Sequence, residues 1–448
     1  MKSTTVLCNS SSLGWIRQVQ KRLANHLQQK TTDLVTSSWH ATVARDVYFD
    51  AARDAVAARA APTLVWPSCL LPPGHVVTDV LPSTGTPVLL YRDHHDDDDD
   101  DDDGETSVRA YVNQCRHRGA ALMNSSTPLA LSTGSALICP YHAWTYNVQT
   151  GNLTAVPGEK EGFPCLDKKS LGLIQLPCQE IAGGIWVGGQ EIKNYPDNDD
   201  SDQEQTSVWS KTEIDQELKD LWLPPSSSSS RLVGFREWYL EANWQIIVET
   251  FLESYHVPFL HRNTLGLVTH RHAMVVDRLD CRSVRHSVAL KNFDTSTVHS
   301  NDDDDETQVS PQDPFFNHTT TTYFLFPSTA ISLFKRFVVF LSIVPELSRG
   351  DGSFEPGASR RCRLRAWAVC HATAKDEHDA ELQQRDFENV IRGIQEDWDC
   401  AESIQRGLTP DTVIHHGRFE GINVDFLKNV GDIAAQLAAT DPKLRASM

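Results

Sequence analysis

Four residues restrict this chain more than anything else in it: Cys115 and His117, then 21 residues, then Cys139 and His142. Each pair is tight enough for one turn to aim a thiolate and an imidazole at the same centre. Two kinds of metal fit that inventory. A single zinc ion would take Cys2His2 as a tetrahedron, whereas a 2Fe-2S cluster can carry both thiolates on one iron and both imidazoles on the other. Zinc sequences group their cysteines together and their histidines together, with two or more residues inside each pair. Here each pair is mixed, so each half delivers one sulfur and one nitrogen. Two chemically distinct irons need that supply, and the cluster is the favoured expectation.

The surrounding residues carry a resemblance. Cys115-Arg116-His117-Arg118-Gly119-Ala120 and Cys139-Pro140-Tyr141-His142-Ala143-Trp144 resemble the two cluster loops of Rieske non-haem iron ring-hydroxylating oxygenases, alpha (large) subunit, a family with choline and carnitine monooxygenase-like members. The stretch between the loops is a few residues longer than is usual there, and Ser125-Ser126-Thr127-Pro128 and Ser132-Thr133-Gly134 suit surface turns. Ala120 and Tyr141 stand where respiratory Rieske proteins carry an extra disulfide-forming cysteine. The resemblance is therefore to the low-potential kind, toward the lower end of about −150 to +300 mV.

Composition narrows the class further. At 448 residues the chain is long enough for two domains with their own cores. Its formal charge of −19 is concentrated in Asp96 to Asp103, Asp302 to Asp305 and the acids between Asp197 and Asp202; the remainder is near neutral. Such runs repel themselves and stay solvated, and nothing spaces them as a calcium loop. Nothing in the charge suits a nucleic acid partner, and no apolar run approaches the roughly 20 residues of a membrane span. Ten cysteines are too few for a disulfide scaffold, and a cluster argues for a reducing compartment.

Residues 1–35 hold Lys2, Arg17, Lys21, Arg22 and Lys30 before their first acid, with Trp15, Ile16, Val19 and Leu23 at helical spacing. That pattern reads equally as a mitochondrial or other organelle transit peptide and as a basic helix packed on the domain; without targeting the chain would be cytoplasmic. Residues 39–61 are expected to be helical and to lead into a β domain over 36–190. Short strands are expected at 76–81, 87–92, 107–113, 173–176 and 184–187, with turns at close intervals. A polar, low-complexity linker follows over 191–231, with a helix near 207–220.

The composition changes at Leu232, where the catalytic half, 232–448, begins. Residues 235–242 read as a strand and 243–256 as a helix with Asn243 as its N-cap. Glu253 and His256 are three apart and share a face. His261 would sit roughly 140° away from His256 on an unbroken helix, but Pro258 cannot donate to Ser254 and forces an end or a bend. On their own these residues also suit a solvated helix end. A second helix over 380–406, stopped by Gly407, supplies Asp397, with Asp399 as the alternate. His256, His261 and Asp397 would form the two-histidine, one-carboxylate facial triad of a mononuclear Fe(II) oxygenase, with positions left open.

Both segments resemble the same family, so the resemblance spans residues 76–430. It implies an α+β fold: a small antiparallel β Rieske domain and a helix-grip (START-like) catalytic domain, an antiparallel sheet covered by helices. It also implies cluster ligands Cys115, His117, Cys139 and His142, iron ligands His256, His261 and Asp397, and Glu253 as the carboxylate linking His142 of one protomer to His256 of the next. The activity implied is electron transfer from the cluster to iron that activates O2 and hydroxylates a small organic substrate, an aromatic or apolar ring or a quaternary amine. A homotrimer would close that path. No nicotinamide fingerprint is visible, so electrons would come from a separate NAD(P)H-dependent reductase or a ferredoxin. The alternative is a Rieske electron-transfer protein without oxygenase activity. Pocket walls are expected within 265–275, 323–326 and 334–340, with Trp367.

Overall fold

The computed structural model describes residues 14–33, 40–57, 61–81, 84–94, 107–131, 134–188, 214–218, 230–295, 314–346, 348–349, 353–354, 360–370 and 377–440. The acidic runs, most of the linker and residues 1–13 lie outside the described residues.

The chain opens with α1 (Gly14–Gln29), β1 (His40–Ala44) and α2 (Ala51–Ala55). Next come β2 (Thr63–Pro67), β3 (His75–Val80), β4 (Pro87–Arg92), β5 (Val108–Val112), β6 (Leu129–Ala130), β7 (Ala136–Ile138), β8 (Thr145–Asn147) and β9 (Leu153–Ala155). With β10 (Gln175–Leu176), β11 (Cys178–Ile181) and β12 (Gly184–Val187) they form three small antiparallel sheets, ordered β10-β5-β4-β3-β6, β11-β12-β2 and β7-β8-β9. Val76, Val77, Val88, Leu89, Leu90 and Tyr91 are completely buried, because the small sheets cover both faces of β3 and β4.

The catalytic half is built on seven antiparallel strands: β13 (Arg231–Leu240), β14 (Thr269–Arg278), β15 (Val284–Leu290), β16 (Thr319–Leu325), β17 (Thr329–Leu333), β18 (Val338–Pro345) and β19 (Cys362–Cys370). Their order is β13-β19-β18-β17-β16-β15-β14. Every residue of β18 is buried, which is why this central strand reads as a continuous apolar run instead of an alternation. Helices α3 (Trp244–Leu252), α5 (Glu377–Gly407) and α6 (Gly421–Thr440) cover one face, packing Trp244, Ile247, Phe387 and Trp398 on Phe324, Val339 and Leu341. Between α3 and β14 lies the single-turn helix α4 (Val257–Leu260). The opposite face carries α1 and the edge of the β domain. There Trp66 meets Trp367 edge-on at 6.3 Å, and Arg365 donates to the Leu64 carbonyl at 3.0 Å and pairs with Asp79. One sheet thus stands between the β domain and the helices α3 and α5.

Two expectations are corrected. Residues 39–61 are not one helix: β1 pairs with β20 (Val413–Gly417), a partner about 370 positions away that no local pattern reveals. This segment joins the catalytic half instead of introducing the β domain, with Tyr48 donating to Glu249 at 2.7 Å and Arg53 to the Leu427 carbonyl at 2.5 Å. The basic N-terminal segment, open in the sequence to two readings, forms a packed helix over Gly14–Gln29, as the second of them expected. It buries Ile16, Val19, Leu23 and Ala24, and Arg22 bridges Asp33 and Asp277. Lastly, Tyr323, Phe340 and Trp367 point to the face shared with α1 and the β domain, away from α3 and α5, so they do not line a pocket beneath those helices. Among the described residues no helix is long and apolar enough to cross a membrane.

Candidate metal centres

The cluster loops are near duplicates in backbone. In the first, the Cys115 amide donates to the Ala120 carbonyl at 2.8 Å and the Gly119 amide to the Cys115 carbonyl at 2.9 Å. In the second, Cys139 donates to Trp144 at 2.9 Å and Ala143 to Cys139 at 3.0 Å. Each turn closes through a left-handed residue four places after its cysteine, Gly119 at φ +77° and Ala143 at φ +54°. Glycine adopts that conformation freely and alanine does not, so the second loop is strained and must be held by its surroundings.

The two turns segregate their ligands. Cys115 and Cys139 are each 2% exposed and lie close enough for their thiols to interact. The imidazoles of His117 and His142 pair at 4.7 Å between centroids, His117 stacking on Trp144 and His142 exposed at the tip beside Tyr141. A single tetrahedral ion would draw all four ligand atoms to within about 4 Å of one another. Among the described residues, these four do not form such a set. Sulfurs on the inside and nitrogens on the outside fit a two-iron cluster. Tyr146 supports the inner end: its hydroxyl lies 3.3 Å from Cys115 Sγ and accepts from the Arg116 amide at 3.0 Å. Burial pushes the metal-free Cys115 thiol up, so a thiolate there needs a cation beside it.

The second centre assembles where α3 stops. Asn243 caps the helix by accepting from the Gln245 amide at 2.9 Å. The helix ends at Leu252, earlier than the sequence pattern suggests, and Glu253 is already extended at φ −139°, ψ 161°. Glu253 and His256 still meet, because the carboxylate accepts from the Tyr255 and His256 amides and so builds the next turn itself. Pro258 then sits in the first turn of α4, starting that helix instead of ending the previous one.

The result is a set of three lone pairs. His256 turns Nδ1 onto Glu253, and His261 turns Nδ1 onto Glu396 at 2.8 Å. With both Nδ1–H donors engaged, each Nε2 is left as an acceptor; they face Asp397 Oδ1 at 3.5 Å and 3.1 Å, and that oxygen has no hydrogen-bond donor. Among the described residues this is the one set of three such ligand atoms all within 4.8 Å of one another. His261 and Asp397 are 1% and 6% exposed. Burial depresses the basicity of both rings, but Glu253 and Asp397 around His256, and Asp397 and Glu396 around His261, outweigh it and raise both. These charges suit a cation, and a divalent metal would meet all three acceptors together.

Asp397 is therefore the third member. Asp399, the alternate, is exposed and accepts from Gln395 at 2.9 Å. Glu396 is the partner that sequence reasoning missed, together with Thr264, which donates to the same carboxylate at 2.5 Å. Neither has a local signal, since their meeting depends on packing α5 against the turn after α4.

Two family models match the chain: the Rieske [2Fe-2S] domain over residues 63–179 and the ring hydroxylating alpha subunit (catalytic domain) over residues 229–436. The chlorobenzene dioxygenase subunit alpha of Cupriavidus sp. (strain PS12) is 30% identical over 151 residues, covering 34% of this chain and 30% of that protein. The chloroplastic choline monooxygenase of Amaranthus tricolor is 28% identical over 162 residues, 36% of this chain and 32% of that protein. The chain thus spans about a third of the length of the curated relatives it matches. Among solved structures, naphthalene 1,2-dioxygenase from Rhodococcus sp. aligns at TM-score 0.60 and 16% identity, covering 95% and 99% of the two chains. The quaternary ammonium Rieske monooxygenase CntA with L-carnitine aligns at 0.59 and 17%, covering 89% and 96%. At these identities the structures speak for the fold.

Proposed function

The chain belongs to the Rieske non-haem iron ring-hydroxylating oxygenase alpha-subunit family, and on that premise we propose that it is an oxygenase acting on a small organic substrate, a ring compound or a quaternary amine. When bound, the 2Fe-2S cluster supplies single electrons and the mononuclear Fe(II) supplies the centre for O2 activation. Cys115, Cys139, His117 and His142 hold the first, and His256, His261 and Asp397 hold the second. The observation that carries this reading is the meeting of two Nε2 lone pairs with an orphaned Asp397 oxygen, which a pure electron carrier would not need.

The remaining residues keep that geometry. Glu253 and Glu396 fix the tautomers of His256 and His261, and Thr264 fixes Glu396. Glu253 also serves as the carboxylate reached by His142 of the partner subunit. Two observations support a head-to-tail homotrimer. The β domain packs on the face of the sheet opposite α3 and α5. Both surfaces that would meet are apolar and exposed, Tyr141 at the cluster tip and Tyr255, Phe259, Leu267 and Val268 around Glu253. Electrons come from a separate reductase or ferredoxin.

Iron analysis with electron paramagnetic resonance tests the core of this reading. The reduced protein is expected to show a Rieske-type signal and about three irons per chain, and Asp397→Ala about two with the signal unchanged. About two irons in both proteins would leave an electron carrier. Oxygen uptake with ring compounds and quaternary amines then separates the substrate classes.

A further inference from the structure

On the face of the sheet beneath α3 and α5, one row sets three polar side chains side by side. β15, β16 and β17 place His286, Thr322 and Ser332 directly opposite one another, with Val276 and Val339 as the flanking partners. Thr322 and Ser332 satisfy each other, hydroxyl to hydroxyl at 2.9 Å. His286 does not share in this: both ring nitrogens are sealed from solvent and no side chain meets them, the Phe251 backbone at the end of α3 being the polar group that supports the ring. That carbonyl end of α3 is two residues before Glu253, so the row lies under the approach to the iron ligands.

Burial drives His286 down to about 4, so the ring is neutral near pH 7 and carries one donor and one acceptor. Deeply enclosed as it is, the residue keeps partial accessibility, as do Ser332, Val276, Phe251 and Phe334 around it. Rotation about the Cβ–Cγ bond would re-aim a ring nitrogen without moving the strand. An imidazole with an unmet nitrogen in an apolar setting is destabilising unless something else meets it. No cation stands on the row, because Arg285 next door turns to the other face and pairs there with Glu217 and Asp277.

We propose that His286, backed by Thr322 and Ser332, is the specificity-determining group of the substrate pocket, and that it selects an organic substrate bearing an uncharged hydroxyl or carbonyl over hydrocarbons and carboxylates. This rests on the oxygenase reading and narrows its substrate. An apolar ring or a methylated ammonium group would lie against Phe251 and Phe334, while the oxygen function meets the imidazole.

Calorimetric binding to the anaerobic, metal-loaded protein tests it with two matched pairs: phenol against toluene, and choline against ethyltrimethylammonium. The hydroxylated member of at least one pair is expected to bind about tenfold tighter or more. His286→Leu should bring that ratio close to one with iron content unchanged, and His286→Gln should retain most of it. The thermal midpoint of ligand-free His286→Leu should rise by about 2–4 °C, as an unmet polar group is replaced by an apolar one. A ratio near one in both wild-type pairs, failure of all four probes to bind, or a ratio unchanged in His286→Leu overturns the assignment. Failure of the oxygenase reading is seen separately, as loss of the third iron whatever the binding ratio.

Discussion

The two metal centres are built on opposite plans. The cluster loops lie within one stretch of chain, repeat one backbone turn, and differ chiefly in using Gly119 in one and a strained Ala143 in the other. The triad draws on His256 and His261 at a break between helices and on Asp397, 136 positions after His261, in a separate long helix. A local site can be recognised from spacing and perturbed locally. An assembled site depends on every element that positions α3 against α5, and its supporting carboxylates Glu253 and Glu396 come from both sides.

The largest effect should follow from Asp397→Ala, which removes one of three lone pairs. Substrate-coupled oxygen uptake is expected to fall to background while the Rieske signal persists. Retained turnover would break the contrast, by showing that the assembled site is not the reactive one. Glu253→Ala comes next. Both metals should stay bound, but coupled turnover should fall by about 10–100-fold, as for other partners that orient a ligand imidazole. Full turnover with both metals present would remove the bridging role.

Tyr146→Phe tests the local site. Loss of a hydrogen bond worth about 1 kcal/mol to Cys115 Sγ should lower the cluster potential by about 40 mV for one electron, with uptake of iron unchanged. An unchanged potential would mean that the hydroxyl serves only the Arg116 amide.

The smallest effect concerns the scaffold of the assembled site. Asp54 is 1% exposed and accepts from Asn243 at 3.2 Å and Trp244 at 3.0 Å, tying α2 to the start of α3. Burial pushes its carboxyl up to about 7, against an ordinary value of about 3.9. The folded state therefore holds the proton more tightly than the unfolded state. Its stabilising contribution is complete below about pH 4 and is lost as pH rises toward 7. Asp54→Asn should flatten the thermal midpoint across that window and raise it by about 2–4 °C at pH 7. A slope identical to wild type would mean the carboxyl ionises normally.

Much of this was legible in the residues. The mixed Cys-His pairs, the Asn243 cap, the continuous apolar run of β18 and the Gly407 stop all act through neighbours in sequence. Where the reading failed, the partner was remote. Residues 39–61 looked helical because the strand that captures His40–Ala44 comes after residue 412. Pro258 signalled a break, but Glu253 makes that break first by capping the turn that follows. Tyr323 and Trp367 looked like pocket walls because alternation marks two faces of a strand without saying which one a helix will cover.

By itself the sequence determined the mixed Cys-His pairs, their spacing in the two loops and the family of the chain, since these depend on side-chain chemistry and on turns of a few residues. Only the tertiary structure decided that Asp397 and not Asp399 joins the histidines, that Glu396 orients His261, and that the β domain lies on the opposite side of the sheet from the helices that carry the triad. The reason is physical. Helix rotation and sheet face are set by burial against elements hundreds of residues away, and those contacts leave no periodic trace near the residues they position.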